Sequence, residues 1–328
     1  MSRSAVLALS LVLGIGSITI PLAAEAQQAA HMPRVGVLVF AEMTDDFRQA
    51  FSQGLQEQGY VEGQNILVDW GAANGRPDRA SALAAEYVRT KVDVIVASLT
   101  AAVQAAQKAT ATIPIVMAPA GDPVKQGFAA SLGRPGANIT GVTGFELSEK
   151  RLELLKELIA DLRRVSLLLN RADPSFAKVL IEGTGTAARR AGIQLQIEMV
   201  QGADQFESAF AAMLKEGSGA VIVQPSLIGQ AARASQVAKL ALQYRLPSIS
   251  ISGTFADSGG LMSYGPNFRH QYRRSAAFVA RILKGEKPDV MPIEQATTFE
   301  MVINLKTAAA LGLTIPQSVL LRADRVIE

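Results

Sequence analysis

The chain has 328 residues, 49% of them hydrophobic and 19% charged, with a formal net charge of +3. That suits two globular domains of roughly 100–150 residues each. No Lys/Arg run exceeds two residues, which argues against a nucleic-acid partner, and the chain has no cysteine, so core packing alone must hold it together.

The first 26 residues stand apart. Arg3 precedes an apolar run from Ala5 to Ile20, Pro21 breaks it, and Ala24-Glu25-Ala26 supplies a small-residue cleavage pattern. These features predict a secretory signal peptide over residues 1–26. The 16 residues of this run fall short of the ~20 that a membrane span needs. Cleavage removes one charge of each sign, so the net charge stays +3. With no cysteine to carry a lipid, a free monomer in the periplasm is expected, with no direct membrane insertion.

Strands and helices then alternate. "RVGVLVF" (34–40) reads as a strand, followed by a helix with Phe47, Phe51 and Leu55 on one face that ends near Gly59. "NILVDW" closes on Trp70, read as structural. "RASALAAEYVRTK", "VDVIVAS" (92–98), "TAAVQAAQKAT", "IPIVMAPA" (113–120) and "NITGVTG" (138–144) continue the alternation. A second series follows in the same order. "RVSLLLN" (164–170), "QLQIEM", "GAVIVQPS" (219–226), "LPSISISG" (246–253) and "GLMSYG" (260–265) echo the first strands at offsets of about 122–133 residues. The strands are continuous apolar runs, as in parallel sheets covered on both faces. The pattern predicts an α/β fold of two doubly wound parallel-sheet lobes joined by a hinge. "NFRHQYRRSAAFVARILKGEKP" returns as a helix after Gly265. Lobe 1 is expected over residues 33–143 plus about 266–291, and lobe 2 over 144–265 plus about 292–328. The tail, with one strand in "TTFEMVINL", has no placement from pattern alone.

In such sheets ligands bind beyond the carboxyl ends of the strands. Those ends bring Phe40, Ala97 to Ala101 and Ala120-Gly121-Asp122 from the first lobe. The second brings Asn170 to Asp173, Gln224-Pro225-Ser226 and Ser250-Ile251-Ser252. Ser98 and Thr100, beside Ala101 at a helix start, suit a carboxylate, or one of them is a plain N-cap. Asp122 suits an ammonium, or caps a helix starting at Pro123; its two oxygens allow both. Phe40, Phe145 and Tyr264 pack either on a ligand or in the core.

Catalysis finds little support. The two histidines, His31 and His270, are far apart, and His270 sits in a helix with "RHQYRR". That disfavours a Ser-His-Asp triad and a zinc site, and no metal or cofactor is expected. "GTGTAA" (183–188) fits a dinucleotide fingerprint but lies inside a helical pattern.

Several segments carry a family resemblance: "TIPIVMAPAGDPV", "SLGRPGANITGVT", "SEKRLELLKEL", "GGLMSYGPN" and the closing "FEMVINLKTAAALGLTIPQSVLLRADRVIE". The chain resembles ABC transporter substrate-binding proteins of the tryptophan/tyrosine type along nearly its whole mature length. The resemblance implies the periplasmic binding protein type I fold, a two-lobed clamp. It implies an amino acid, aromatic in the characterised relatives, or another small carboxylate held by the strand-end loops, with Ser98, Thr100, Asp122 and Asn170 at matching positions and Tyr264 a weaker match. It implies an ABC permease with its ATPase as partner. The alternative is a periplasmic sensor subunit that signals to a membrane receptor without transport. A sugar-type transcriptional regulator shares the fold but carries a DNA-binding helix pair where this chain has its apolar leader.

Overall fold

The computed structural model describes residues 32–144 and 147–328; the expected signal peptide, His31 and Phe145 lie outside the described residues. The first series runs β1 (Arg34–Val39), α1 (Asp45–Glu57), β2 (Leu67–Ala72), α2 (Pro77–Arg89), β3 (Val94–Ser98), α3 (Thr100–Ala109), β4 (Ile115–Ala120) and β5 (Ile139–Thr143). These five strands are all parallel, in the order β2-β1-β3-β4-β5. The second series runs α4 (Ser148–Leu158), β6 (Arg164–Asn170), α5 (Pro174–Ala191), β7 (Gln194–Val200), α6 (Phe206–Lys215), β8 (Ala220–Val223), α7 (Ala231–Gln243), β9 (Ser248–Ser250), α8 (Gly253–Asp257) and β10 (Met262–Pro266). Its strands repeat the order, β7-β6-β8-β9-β10, again in parallel. The internal echo in the sequence is therefore an echo in topology.

The apolar runs explain the sheets. Every residue of β3, β4, β5 and β8 is buried, which requires helices on both faces. Local chemistry sets the helix ends. Thr44 Oγ1 accepts the Phe47 N–H at 3.3 Å, and Asp45 and Asp46 meet the positive end of α1. Helix α5 starts at Asp173-Pro174 and stops at Gly192, whose φ of 68° favours glycine. Phe47, Phe51 and Leu55 of α1 go into the core, each worth roughly 1.5–3 kcal/mol on burial. Trp70 stands edge-on to Phe51 with ring centres 5.7 Å apart and donates Nε1–H to Glu62 at 2.9 Å, a packing role.

After β10 the chain crosses back. Helix α9 (Phe268–Leu283) packs on α1 and on the first sheet, with its own N-terminus capped by Asn267. A two-residue strand, β11 (Glu294–Gln295), extends the first sheet beside β5. The return to the second sheet, expected near residue 291, thus comes after Gln295. There β12 (Phe299–Asn304), α10 (Leu305–Leu311), α11 (Gln317–Leu320) and β13 (Arg325–Ile327) complete the chain. β12 runs antiparallel to β10, so the second sheet is mixed at its tail edge. Three segments therefore cross between the lobes, at 144–147, 266–268 and 295–299. No helix of the described residues is long and apolar enough to cross a membrane.

Candidate functional site

The carboxyl ends of both sheets meet at one cleft. From the first lobe come Leu99 and Pro119 to Asp122; Gly144, Pro266 and Phe268 lie at the crossings; Phe176, Val179, Pro225 and Ile251 come from the second lobe. The lining is mostly apolar, with one charged side chain, Asp122. The cavity is about 50 Å³, room for little more than water and far below the ~300 Å³ of a typical small-molecule site. Entry of an amino acid requires the lobes to part.

Four hydrogen bonds hold the lobes against each other beside this cavity. Glu42 N–H donates to Gly229 O at 2.9 Å, and the Glu42 carboxylate accepts the Ala231 N–H at 3.2 Å, capping α7 from the opposite lobe. Gln104 Nε2 donates to Ser175 Oγ at 2.7 Å, and Gln126 Nε2 to Ser175 O at 3.3 Å. Gly229 sits so close to Ala41 that a Cβ on it would lie 2.6 Å from the Ala41 Cβ.

Asp122 caps a turn and not the helix expected from Pro123. Its Oδ1 accepts the N–H groups of Val124 and Lys125, both at 3.1 Å. The segment after it is a turn rather than a helix. Oδ2 forms a loose ion pair with the exposed Lys125 ammonium at 4.0 Å, too long for a direct hydrogen bond. Helices α3 and α5 both begin at the cleft, one from each lobe, so two positive dipole ends converge there.

The other described sequence candidates make contacts within the protein. Phe40 is fully buried in the first-lobe core. Ser98 is buried with Oγ 2.9 Å from the Tyr272 hydroxyl, and burial pushes the Tyr272 pKa up, so that hydroxyl keeps its proton. Thr100 Oγ1 accepts the Gly121 N–H at 3.2 Å and fixes the loop that bears Asp122. Ala101 packs at the edge of the core. Asn170 Oδ1 accepts the Ala172 N–H at 2.9 Å, while Nδ2 reaches Ser226 O at 3.3 Å. Tyr264 stacks on Phe299 with ring centres 6.4 Å apart.

Beneath the second-lobe wall lies a buried polar network. Asp173 caps α5 by accepting the Phe176 N–H at 3.3 Å, and its other oxygen accepts Gln224 Nε2 at 3.1 Å. Gln224 also donates to Ser226 Oγ at 3.0 Å and accepts the Asn170 N–H at 2.8 Å. Burial pushes the Asp173 carboxyl pKa up, against the pull of its hydrogen bonds to Ser226, Phe176 and Gln224. The cavity residues Phe176, Val179 and Phe268 were not singled out by sequence reasoning. The "DPSF" start of α5 held a signal, because a cap-proline pair after a strand puts the next residues in the first helical turn at the strand's end.

A larger groove of about 770 Å³ lies on the outer edge of the first sheet, among Val142, Gln271, Arg274 and Glu294. Arg274 and Glu294 satisfy each other through two hydrogen bonds of 2.6 Å. The cleft is the better candidate despite its size, because the strand ends converge there.

Two lobes of repeated parallel topology, three crossings and a cleft at the strand ends define a clamp-type binding protein with the periplasmic binding protein type I fold. Residues 34–327 match the family described as ABC transporter substrate binding protein, and the chain belongs to that family. It is 24% identical over 279 residues to a tyrosine-binding protein of Clostridioides difficile, covering 85% of this chain and 80% of the relative. Two solved structures are similar, each covering 90% of this chain and 99% of the other. One is a conserved domain protein of Vibrio cholerae, 29% identical with a TM-score of 0.84. The other is an ABC domain of Streptococcus pneumoniae in complex with L-Trp, 26% identical with a TM-score of 0.83. Among the described residues no cluster of His, Asp and Glu is arranged to hold a metal.

Proposed function

We propose that the protein is the periplasmic substrate-binding subunit of an ABC importer, and that it closes on an amino acid with an apolar or aromatic side chain. The cleft lining carries this reading: an apolar wall built by both lobes around one carboxylate whose second oxygen is held only loosely, by the exposed Lys125 ammonium at 4.0 Å. Asp122 Oδ2 takes the ligand's ammonium. The opening turns of α3 and α5 supply N–H groups and positive dipole ends for its carboxylate. The apolar wall takes the side chain. The two relatives whose names state a tyrosine or tryptophan ligand support the same class.

Because the closed cavity is too small to admit ligand, binding proceeds through an open form and shifts the population to the closed one. The closed protein then presents both lobes to the permease and its ATPase. The apolar leader supports export to the periplasm. The test is a thermal-shift and calorimetric screen against the twenty L-amino acids, small carboxylates, purines and sugars. Ligand at ~100 times its Kd adds about 2.7 kcal/mol to stability, a shift of several degrees. Stabilisation by L-tryptophan or L-tyrosine above the polar amino acids is expected. A response to sugars or purines alone, or to nothing, rejects the reading.

A further inference from the structure

Leu99 joins β3 to α3, and its backbone conformation is rare for a side-chain-bearing residue: φ 71°, ψ 153°. Glycine adopts that region freely, whereas other residues hold it only under constraint, typically at functional sites. The other described non-glycine residues with positive φ are Asn74, Lys91 and Arg245, at 53–55°, and none of them lines the cleft cavity.

The constraint is visible on both sides of Leu99. Its N–H donates to Pro119 O at 2.8 Å, and its carbonyl accepts from Ala102 and Val103 at 3.1 and 3.2 Å. Before it, Ser98 is tied to Tyr272; after it, Thr100 is tied to Gly121. The turn from strand to helix is thus completed at one residue. The sequence places a branched apolar side chain there instead of glycine, although that side chain is only partly buried and sits at the edge of the first-lobe core. What it does gain is a place on the cavity wall. Phe176 of the other lobe comes just as near: a Cβ on Gly121 would meet its ring at 3.1 Å, the same distance as Thr100 Oγ1.

We propose that Leu99 determines the cleft's specificity. Its side chain, held where glycine would be relaxed, stands with Pro119 and Ala120 in the first lobe's apolar wall, and Phe176, Val179 and Ile251 form the second lobe's. Together they select amino acids whose side chains are apolar and large enough to touch both. The proposal rests on the reading of the cleft as an amino-acid site.

Two variants test it, Leu99→Ala and Leu99→Gly. Alanine keeps the constrained backbone and loses this part of the wall; glycine loses both. Melting of the ligand-free proteins reads the constraint: the glycine variant is expected to melt above the alanine variant, the reverse of the order at an ordinary position. Calorimetry with L-tryptophan and with L-alanine reads selectivity. Both variants are expected to bind L-tryptophan about 10-fold or more weakly while the preference over L-alanine collapses. A purely structural Leu99 would change melting but not the preference. Variants that keep wild-type selectivity overturn the proposal alone, and so does an alanine variant that melts above the glycine variant. Wild-type protein that binds no amino acid removes the cleft reading and the proposal with it.

Discussion

Replacing Gly229 by alanine should wedge the clamp. The new methyl carbon would lie 2.6 Å from the Ala41 Cβ and 3.1 Å from its Cα. Carbon contacts settle at ~3.5–4.0 Å, so the lobes must back away by about 1 Å at this point. Gly229 has no positive φ, so alanine adds no backbone strain, and its only tight contacts are with Ala41 of the opposite lobe. The cost therefore falls on closure alone. Overpacking of this kind costs about 1–3 kcal/mol, which weakens apparent affinity by roughly 5–150-fold, because binding must draw on a rarer closed state. Calorimetric titration with L-tryptophan and L-tyrosine measures the loss, and small-angle scattering at saturating ligand reads the wider cleft. Wild-type affinity together with wild-type scattering would refute the closed contact between Ala41 and Gly229.

Other substitutions separate ligand contacts from scaffolding. Asp122→Asn keeps an acceptor for the Val124 and Lys125 N–H groups but loses the charge; it should weaken amino-acid binding by about 10–150-fold with little change in melting, since hydrogen bonds to charged groups are worth ~1.5–3 kcal/mol. Unchanged affinity would remove Asp122 from the site. Tyr272→Phe deletes the partner of Ser98 and should cost about 1 kcal/mol in denaturant unfolding while leaving ligand affinity intact; an altered Kd would return Ser98 to the ligand's contacts. The raised pKa of Asp173 sets a pH dependence. The native state holds this proton more tightly than the unfolded chain, so the group favours folding most in acid. Its contribution falls as pH rises from the ordinary carboxylate value of ~4 to the raised one. Urea midpoints from pH 3.5 to 7 should show wild type losing ground to Asp173→Asn as pH rises, and a gain would reverse the assignment.

The sequence shows the lobes plainly and the site only in outline, for physical reasons. Buried parallel strands must be apolar throughout, so their order and repetition are legible, as "VDVIVAS" and "GAVIVQPS" show. Strand β12 was unplaced because nothing in "TTFEMVINL" tells an antiparallel neighbour from a parallel one. At the strand ends, serine and asparagine look alike whether they serve a ligand or the backbone. Ser98, Asn170 and Ser226 turn inward to other protein groups, a choice made by partners 56–174 residues away or by turn geometry. Leu99 is a plain leucine in a strand-to-helix turn, and its φ has no trace in its identity. Asp122 stands out in the sequence as an aspartate before proline at a strand end, which fits a turn as well as a ligand contact.

The bonds that shut the clamp are mostly neutral. Glu42 and Gly229 join through peptide groups, and Gln104 and Gln126 grip Ser175 through amides; only the Glu42 carboxylate on the first N–H of α7 carries a full charge. Among the described residues no ion pair of opposite charges spans the lobes. Dissolved salt, which screens exposed charges within about 10 Å at 0.1 M, has little purchase on such a latch. A receptor that works outside the cytoplasm meets whatever salinity its surroundings impose. The latch between the two lobes is built to stay nearly indifferent to the brine around it.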